Sequence, residues 1–419
     1  MSLDVHLYGE RIGTLFPAGD NDYRFAYDPE LVKRVGPGKG LLSNSLPARP
    51  EPFSAAATQA YIEGLLPEGR RRERLGRELG IDATDGYLLI AELGRDCPGA
   101  VTFLPEGTPV ERRDAGSIAW LTEEELAEVV KPPPPRLFTE DCERRMRFAL
   151  PGVRHKLSLI RDEVGGRWGW PEAGAPSTHV VKPDTGEYPE YIANEMFCMT
   201  VCRQVGLPIA KATVEEIAGR RCLISPRYDR IVDENLEVRR IHQETFCQAL
   251  GISPFAEEET EEGEAPGFAE ACGLLHAVSR SDEVVNLLTV AFCNYMLGNG
   301  DAHGKNFALL DRDGKWRIAP LCDLTSTVVY DEPLHTGMVI SDDYGETAYL
   351  LELAEVCEEC EFDFEVMRGL AATTATRVGM AVETIATRSK KEGWHRPIVD
   401  KIVEIAADRS FGLGAEVEY

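Results

Sequence analysis

Along the first 28 residues apolar and polar side chains alternate: Val5, Leu7 and Tyr8, then Ile12, Thr14 and Leu15, then Tyr23, Phe25 and Tyr27. A period of two is that of strands with one buried face. Gly9-Glu10 between the first two runs predicts a hairpin turn, so the chain opens as a small antiparallel sheet. Residues 41–47 follow as an extended segment, and then the period changes. Residues 55–66, 86–93 and 121–130 carry helical spacing, the last with Thr122 as N-cap and acids in its first turn, while 100–104 reads as a strand. Arg70, Arg71, Arg72, Arg74 and Arg77 crowd a further helical stretch; a solvated helix face and a contact for a phosphate or an acidic partner both fit them.

Lys131 and four prolines, 132–135, stiffen the chain as polyproline II and mark a domain boundary. Beyond it 146–150 and 156–161 read as strands, as do 178–183 and 221–225, with a helix at 190–205 between the last two. From His242 the pattern is mainly helical, at 268–278, 284–297, 348–357, 364–380 and 397–407. The acidic stretch 257–264 has nothing to bury and reads as a surface loop, and no internal repeat is apparent.

The chain has 419 residues, 43% of them hydrophobic, enough for two or three domains with cores of their own. Its formal charge of -26 argues against binding nucleic acid over its whole surface and leaves room only for a local basic patch. No apolar run reaches the length of a membrane span, and Met1-Ser2-Leu3-Asp4 does not start a signal segment, so a cytoplasmic protein without membrane contact is expected. Eleven scattered cysteines read as reduced thiols, with Cys357 and Cys360 structural because no second pair completes a zinc site.

The candidate chemistry sits where the apolar helix 284–297 delivers the chain to Asn299-Gly300-Asp301-Ala302-His303-Gly304-Lys305-Asn306. Asp301 and Asn306 have the spacing of the catalytic loop of phosphoryl-transfer enzymes, where an Asp takes the proton of the substrate hydroxyl and an Asn holds a metal ion. A strand, the turn Asp311-Arg312-Asp313-Gly314 and a second strand, 316–321, would form a hairpin that returns Asp323 beside Asn306 as a second metal ligand. His303 and Lys305 would stand near the phosphates; a turn capped by Asp301 and Asn306, with a packing His303 and a solvated Lys305, describes the same residues.

Upstream, Pro151, Gly152, Val153, Arg154 and His155 form a turn before Lys156 that fits a phosphate-covering loop or an ordinary hairpin. Lys182 points inward from an apolar strand, which is costly without an anionic partner, and Glu195 on the next helix is the candidate partner. Pro226, Arg227 and Tyr228 leave a strand where a nucleotide's adenine would pass.

Together these residues resemble the HipA-type serine/threonine kinases, the toxin components of bacterial toxin–antitoxin modules. The matching stretches are 5–15, 41–47, 53–69, 151–156, 179–183, 227–230, 242–251, 300–310 and 319–327. The resemblance implies an α+β fold with a kinase-like two-lobe architecture: an N-terminal mixed α/β lobe with a small β-sheet subdomain, and an all-α C-terminal lobe. The expected division is 1–131 for the N-terminal subdomain, 132–240 for the nucleotide-binding part and 241–419 for the helical lobe. It further implies Asp301 as catalytic base, Asn306 and Asp323 as Mg2+ ligands and Lys182 on the ATP phosphates. Residues 151–156 would cover the phosphates and 226–228 would line the adenine site. The activity implied is transfer of the ATP γ-phosphate to a serine or threonine of a protein, an aminoacyl-tRNA synthetase in the best-known members. A HipB-like helix-turn-helix antitoxin neutralises such kinases and brings them to DNA.

Two positions depart from the family pattern. Ala149 stands where many members carry a serine that autophosphorylates and ejects the loop, so that switch is expected to be absent here, or moved to Ser158. Pro226 stands where relatives often have an acid, which leaves adenine contacts to backbone groups. A catalytically weak subunit of an antitoxin–repressor complex and a small-molecule phosphotransferase are the alternative readings.

Overall fold

The structure, a computed structural model, describes residues 1–19, 21–108, 118–131, 155–162, 165–172, 174–255, 266–279, 281–312, 314–330, 357–358 and 362–417. The expected first hairpin is present. Strands β1 (Leu3–Leu7) and β2 (Glu10–Pro17) are joined by Tyr8 and Gly9 at φ 55° and 85°, the left-handed pair that matches the strand twist in a two-residue turn. With β3 (Tyr23–Tyr27) and β4 (Val101–Pro105) they form an antiparallel sheet of order β3-β2-β1-β4, in which Leu3 faces Leu15 on one side and Pro105 on the other. Helices α1 (Pro29–Val35), α2 (Ala55–Glu63), α3 (Gly69–Leu79) and α4 (Gly86–Leu93) accompany this sheet. The core joins Leu3, Val5, Leu15 and Phe103 to Tyr61, Leu89, Ile90 and Leu93.

A second sheet holds the strands around Lys182. Its order is β5-β7-β6-β8-β10-β9, from β5 (Ile118–Trp120), β6 (Leu157–Arg161), β7 (Trp168–Pro171), β8 (His179–Pro183), β9 (Thr213–Ile217) and β10 (Arg220–Pro226). Leu157, Leu159, Trp168, Trp170, Val181, Cys222 and Ile224 pack with Val129 and Val130 at the end of α5 (Glu123–Val129). Thr122 caps α5 as expected, and does so through a reciprocal box with Glu125.

The chain divides into two compact units, Met1–Thr185 with Lys211–Phe255, and Gly186–Ala210 with Ala256–Tyr419. The units change at 185/186, 210/211 and 255/256, and the proline run 132–135 lies outside the described residues. The first unit ends in the ribbon β11 (Arg230–Val232) and β12 (Val238–Arg240), then β13 (Gln243–Thr245) and the short helix α7 (Phe246–Leu250).

The second unit holds α6 (Tyr191–Val205), α8 (Phe268–Val278), α9 (Ser281–Leu297), α10 (Phe364–Glu392) and α11 (Pro397–Val417). Its described strands include the hairpin of β14 (Ala308–Arg312) and β15 (Lys315–Ile318). Helix α10 runs well past the expected end at 380, because Val378, Ala381, Val382 and Ile385 continue its buried stripe until Gly393 closes it at φ 79°. Ser389 Oγ, His395 Nδ1 at 2.8 Å, and His395 Nε2 to Asp400 Oδ2 at 2.9 Å fasten the turn from α10 to α11. The order imitates a hydrolase triad, but Ser389 is fully buried and also donates to the Ala386 carbonyl, so it is a structural tie.

Buried polar contacts hold the first unit together. Glu244 accepts from Ser43 Oγ at 2.5 Å, from Asn44 Nδ2 at 2.5 Å and from the Asn44 amide at 3.1 Å, fixing segment 41–47 beneath β13. Nearby, Asp96 and Asp229 meet Arg227, Arg230 and Arg240, all below a tenth exposed. Arg227 Nη2 lies 2.8 Å and Arg230 Nη1 2.9 Å from Asp229 Oδ2, and Arg230 Nη2 lies 3.1 Å from Asp96 Oδ1. Ser177 Oγ donates to Asp96 at 2.6 Å. Burial would raise both carboxyls, yet the surrounding guanidiniums hold them below the usual carboxylate range.

Candidate active site

The loop after α9 is built as the turn residues dictate. Gly298 ends the helix at φ 71°, and a Cβ there would meet Val328 Cγ2 at 2.3 Å, so both the backbone angle and the space demand glycine. Asn299 Nδ2 donates to Asn294 Oδ1 at 3.0 Å, and its Oδ1 accepts from the Asp301 amide at 3.1 Å. Gly300 N donates to Thr327 Oγ1 at 2.9 Å. The Asp301 side chain, 47% exposed, has His303 Nε2 at 3.7 Å from its Oδ1.

Residues Gly304–Asn306 make a 3-10 turn, and Asn306 Nδ2 donates to the Asp301 carbonyl at 2.5 Å. The amide nitrogen of Asn306 is thus committed inside the loop, and its oxygen is the atom left to hold a cation. Lys305 is half-buried in the same turn.

The hairpin from this loop has the expected register, with Leu309 opposite Ile318 and Arg312 opposite Lys315, and Gly314 N donates to Asp311 Oδ1 across its turn. Carried back along the strands, that register brings Asn306 level with Leu321, two residues before Asp323. Leu321 is held from both sides, its amide donating to the Pro208 carbonyl at 2.8 Å and its carbonyl accepting from Ala210 N at 2.9 Å. Asp323 is half-buried at φ 57°, a left-handed conformation uncommon outside glycine and typical of sites where the surroundings over-determine the backbone.

In the first unit Lys182 lies on β8 opposite Leu223. Burial alternates along that strand, with Val181 on the core side and Lys182 half-buried on the face it shares with Val180. The inward lysine of the sequence reading is therefore on the less buried face. Glu195 on α6 is 1% exposed and belongs to the second unit. Pro226 ends β10, exposed and opposite His179, and Tyr228 is half-buried. Arg227 departs from expectation: its guanidinium is consumed by Asp229, Asp96, Ser177 Oγ and the Cys97 carbonyl, which leaves only backbone groups there for a ligand.

Residues 146–154, including Pro151, Gly152, Val153 and Arg154, lie outside the described residues. The loop's outgoing end is described. Burial, and then the guanidiniums of Arg71 and Arg74, push His155 down to about 4, so it is a neutral imidazole at neutral pH. The α3 arginines therefore neighbour His155, a proximity the sequence pattern did not suggest. Ser158 is fully buried on β6 with no hydrogen-bond partner for its hydroxyl, which corrects the suggestion that an autophosphorylation site moved there.

Among the described residues no three His, Cys, Asp or Glu side chains gather to hold a metal, and nine cysteines are free thiols. One carboxylate with one amide oxygen is nonetheless a donor set for Mg2+, which completes its shell from phosphates and water. Also among the described residues, no helix is long and apolar enough to cross a membrane.

Comparison with known proteins places these features. Residues 148–388 match the model of the HipA-like C-terminal domain, and residues 3–104 match that of the HipA N-terminal domain. The protein named "Putative kinase Y4mE" of Sinorhizobium fredii is 37% identical over 338 residues, covering 79% of this chain and 78% of its own. The serine/threonine-protein kinase toxin HipA of Shewanella oneidensis is 25% identical over 397 residues, covering 91% of this chain and 88% of its own. The solved Shewanella oneidensis HipA, in complex with HipB and operator DNA, superposes with a TM-score of 0.78 at 23% identity, over 99% of this chain and 96% of that one, and shares the fold.

Proposed function

This chain belongs to the HipA kinase family, and on that premise we propose that it is an ATP-dependent serine/threonine protein kinase whose protein substrate serves translation, an aminoacyl-tRNA synthetase being the leading candidate. The observation that carries the reading is the Asp301 loop. It presents an exposed carboxylate, and it commits the Asn306 nitrogen inward so that the Asn306 oxygen is left for a metal. Asp301 accepts the proton of the substrate hydroxyl as the oxygen attacks, and His303 beside it offers a second polar group to the acceptor. Asn306 and Asp323 hold Mg2+, which when bound neutralises charge on the phosphates. Lys182 and the segment Pro151, Gly152, Val153, Arg154, His155 and Lys156 bind the nucleotide's phosphates. Of these, His155 contributes as a neutral donor. Backbone groups at Pro226, Arg227 and Tyr228 face the adenine.

A HipB-like antitoxin is the partner this reading supplies, in keeping with the company of the solved relative, and contact with DNA runs through that partner. The formal charge of -26 favours a partner with a basic face, and the cytoplasm is the compartment assigned.

The test is transfer from γ-labelled ATP, with Mg2+ and a lysate of a related bacterium, with Asp301→Gln run beside the wild type. A band labelled by the wild type alone is expected, and its identity names the substrate. Equal labelling in both lanes would trace the activity to a contaminant. No labelling, with nucleotide binding intact, would favour a HipA-like subunit kept for its repressor complex.

A further inference from the structure

We propose that Asn194 and Thr327 are positioning residues that lock the Asp301 loop and the Asp323 segment into one register; the inference rests on the kinase reading above. Asn194 is fully buried on α6, amid Ile192, Ala193, Phe197 and Cys198. Its amide is bonded in both directions to one residue. Nδ2 donates to the Ser326 carbonyl at 2.8 Å, and Oδ1 accepts from the Ser326 amide at 2.9 Å. A primary amide is the side-chain group that can answer a peptide's C=O and N–H together as a neighbouring strand would, whereas a carboxylate lacks the donor. Nδ2 also lies 3.3 Å from the Tyr330 hydroxyl, so the segment is gripped on both sides of Thr327.

Thr327 passes the constraint on. Its amide donates to the Gly298 carbonyl at 2.8 Å, and its Oγ1 accepts from Gly300 N at 2.9 Å, one residue before Asp301. A run of hydrogen bonds thus leads from α6 through Ser326 and Thr327 to the base, entirely within the second unit. Ser326 and Thr327 are almost fully buried. The same clamp sits three residues beyond Asp323, whose left-handed φ of 57° persists only while the flanking backbone is held. Every group in the run is neutral, so it fixes position without adding charge where a carboxylate and phosphates must work.

The experiment compares Thr327→Val, which keeps the shape and loses the hydroxyl, with Thr327→Ser, which keeps the hydroxyl, and adds Asn194→Asp. Steady-state transfer from γ-labelled ATP and amide hydrogen exchange across residues 298–301 are measured below the melting point of every variant. Thr327→Val is expected to lower kcat about tenfold or more while KM for ATP stays within about twofold, and to speed exchange at Gly300. Thr327→Ser restores both, and Asn194→Asp repeats the loss. Wild-type kcat and wild-type exchange in Thr327→Val would overturn the inference, as would a serine variant that recovers the melting point but not the rate. A wild type that transfers no phosphate would overturn the kinase reading instead. Exchange then decides the clamp alone: faster exchange in Thr327→Val and Asn194→Asp but not in Thr327→Ser upholds it, and wild-type exchange in Thr327→Val overturns it.

Discussion

Two places in this molecule gather aspartates, and they use them in opposite ways. Asp96 and Asp229 are sealed in the first unit with three guanidiniums around them, and every carboxylate oxygen is engaged. Asp301 in the second unit is nearly half exposed, and the groups that place it are the Asn299 amide on its own N–H and the Thr327 hydroxyl on the Gly300 N–H. A catalytic carboxylate must reach its substrate and exchange a proton, which a carboxylate saturated by arginines cannot do. The denser cluster of charge is therefore the scaffold, and the sparser one is the candidate for chemistry.

The contrast can be broken by substitution, and the largest effect should fall on the exposed site. Asp301→Asn keeps size and neutral hydrogen bonding but removes the carboxylate proposed as base, so phosphate transfer should fall by about 10²–10⁴-fold with little change in melting temperature. Asp96→Ala should do the reverse. It leaves buried guanidiniums short of a counter-charge at a cost of about 3–5 kcal/mol, read as a lower urea midpoint, with surviving folded protein still binding nucleotide.

Glu244 sharpens the comparison, being as buried as Asp96 but surrounded by neutral donors. Burial pushes its carboxyl up to about 7 against the opposing bonds from Ser43 and Asn44. An acid whose folded value lies above its unfolded one stabilises the fold when protonated. That contribution is complete below the unfolded value near 4.5 and is lost as pH rises through about 7. Urea melts at pH 5, 6, 7 and 8 should show the wild type losing up to about 3 kcal/mol relative to Glu244→Gln over that window. The smallest effect is expected of Ser158→Ala, which removes a buried, unpartnered hydroxyl. Phosphate incorporated by the protein itself should be unchanged, and stability should shift by less than about 1 kcal/mol.

What could be read from the chain was what is local. The hairpin at Gly9, the Thr122 cap, the Asp301–Asn306 loop and the return of the chain to Asp323 each follow from residues within some twenty positions of one another, where turn chemistry and period speak directly. The Asp96–Arg227 network joins residues far apart in the chain, so the neighbours of Arg227 in sequence do not reveal its partners in space. Apolar flanks on both sides predict an inward Lys182, but alternation along β8 puts it on the face away from Val181. Two consecutive polar residues, Asn194 and Glu195, stand in a helix otherwise apolar from Ile192 to Met199, and buried amides in such a setting need partners.

The threefold passage of the chain between its units also sets a timetable for synthesis. The first unit has all its residues once Phe255 has been made, and can close while the rest is still being translated. Helix α6 has no such option, since the remainder of its own unit begins at Ala256. Its apolar faces, Ile192, Phe197, Met199 and Val201 among them, leave the ribosome early and wait roughly ten seconds or longer for α9 and α10 at ordinary elongation rates. A nascent chain stalled after residue 255 would thus carry a finished first unit and an orphaned helix, a form in which chaperones and proteases would meet this protein before its second unit exists.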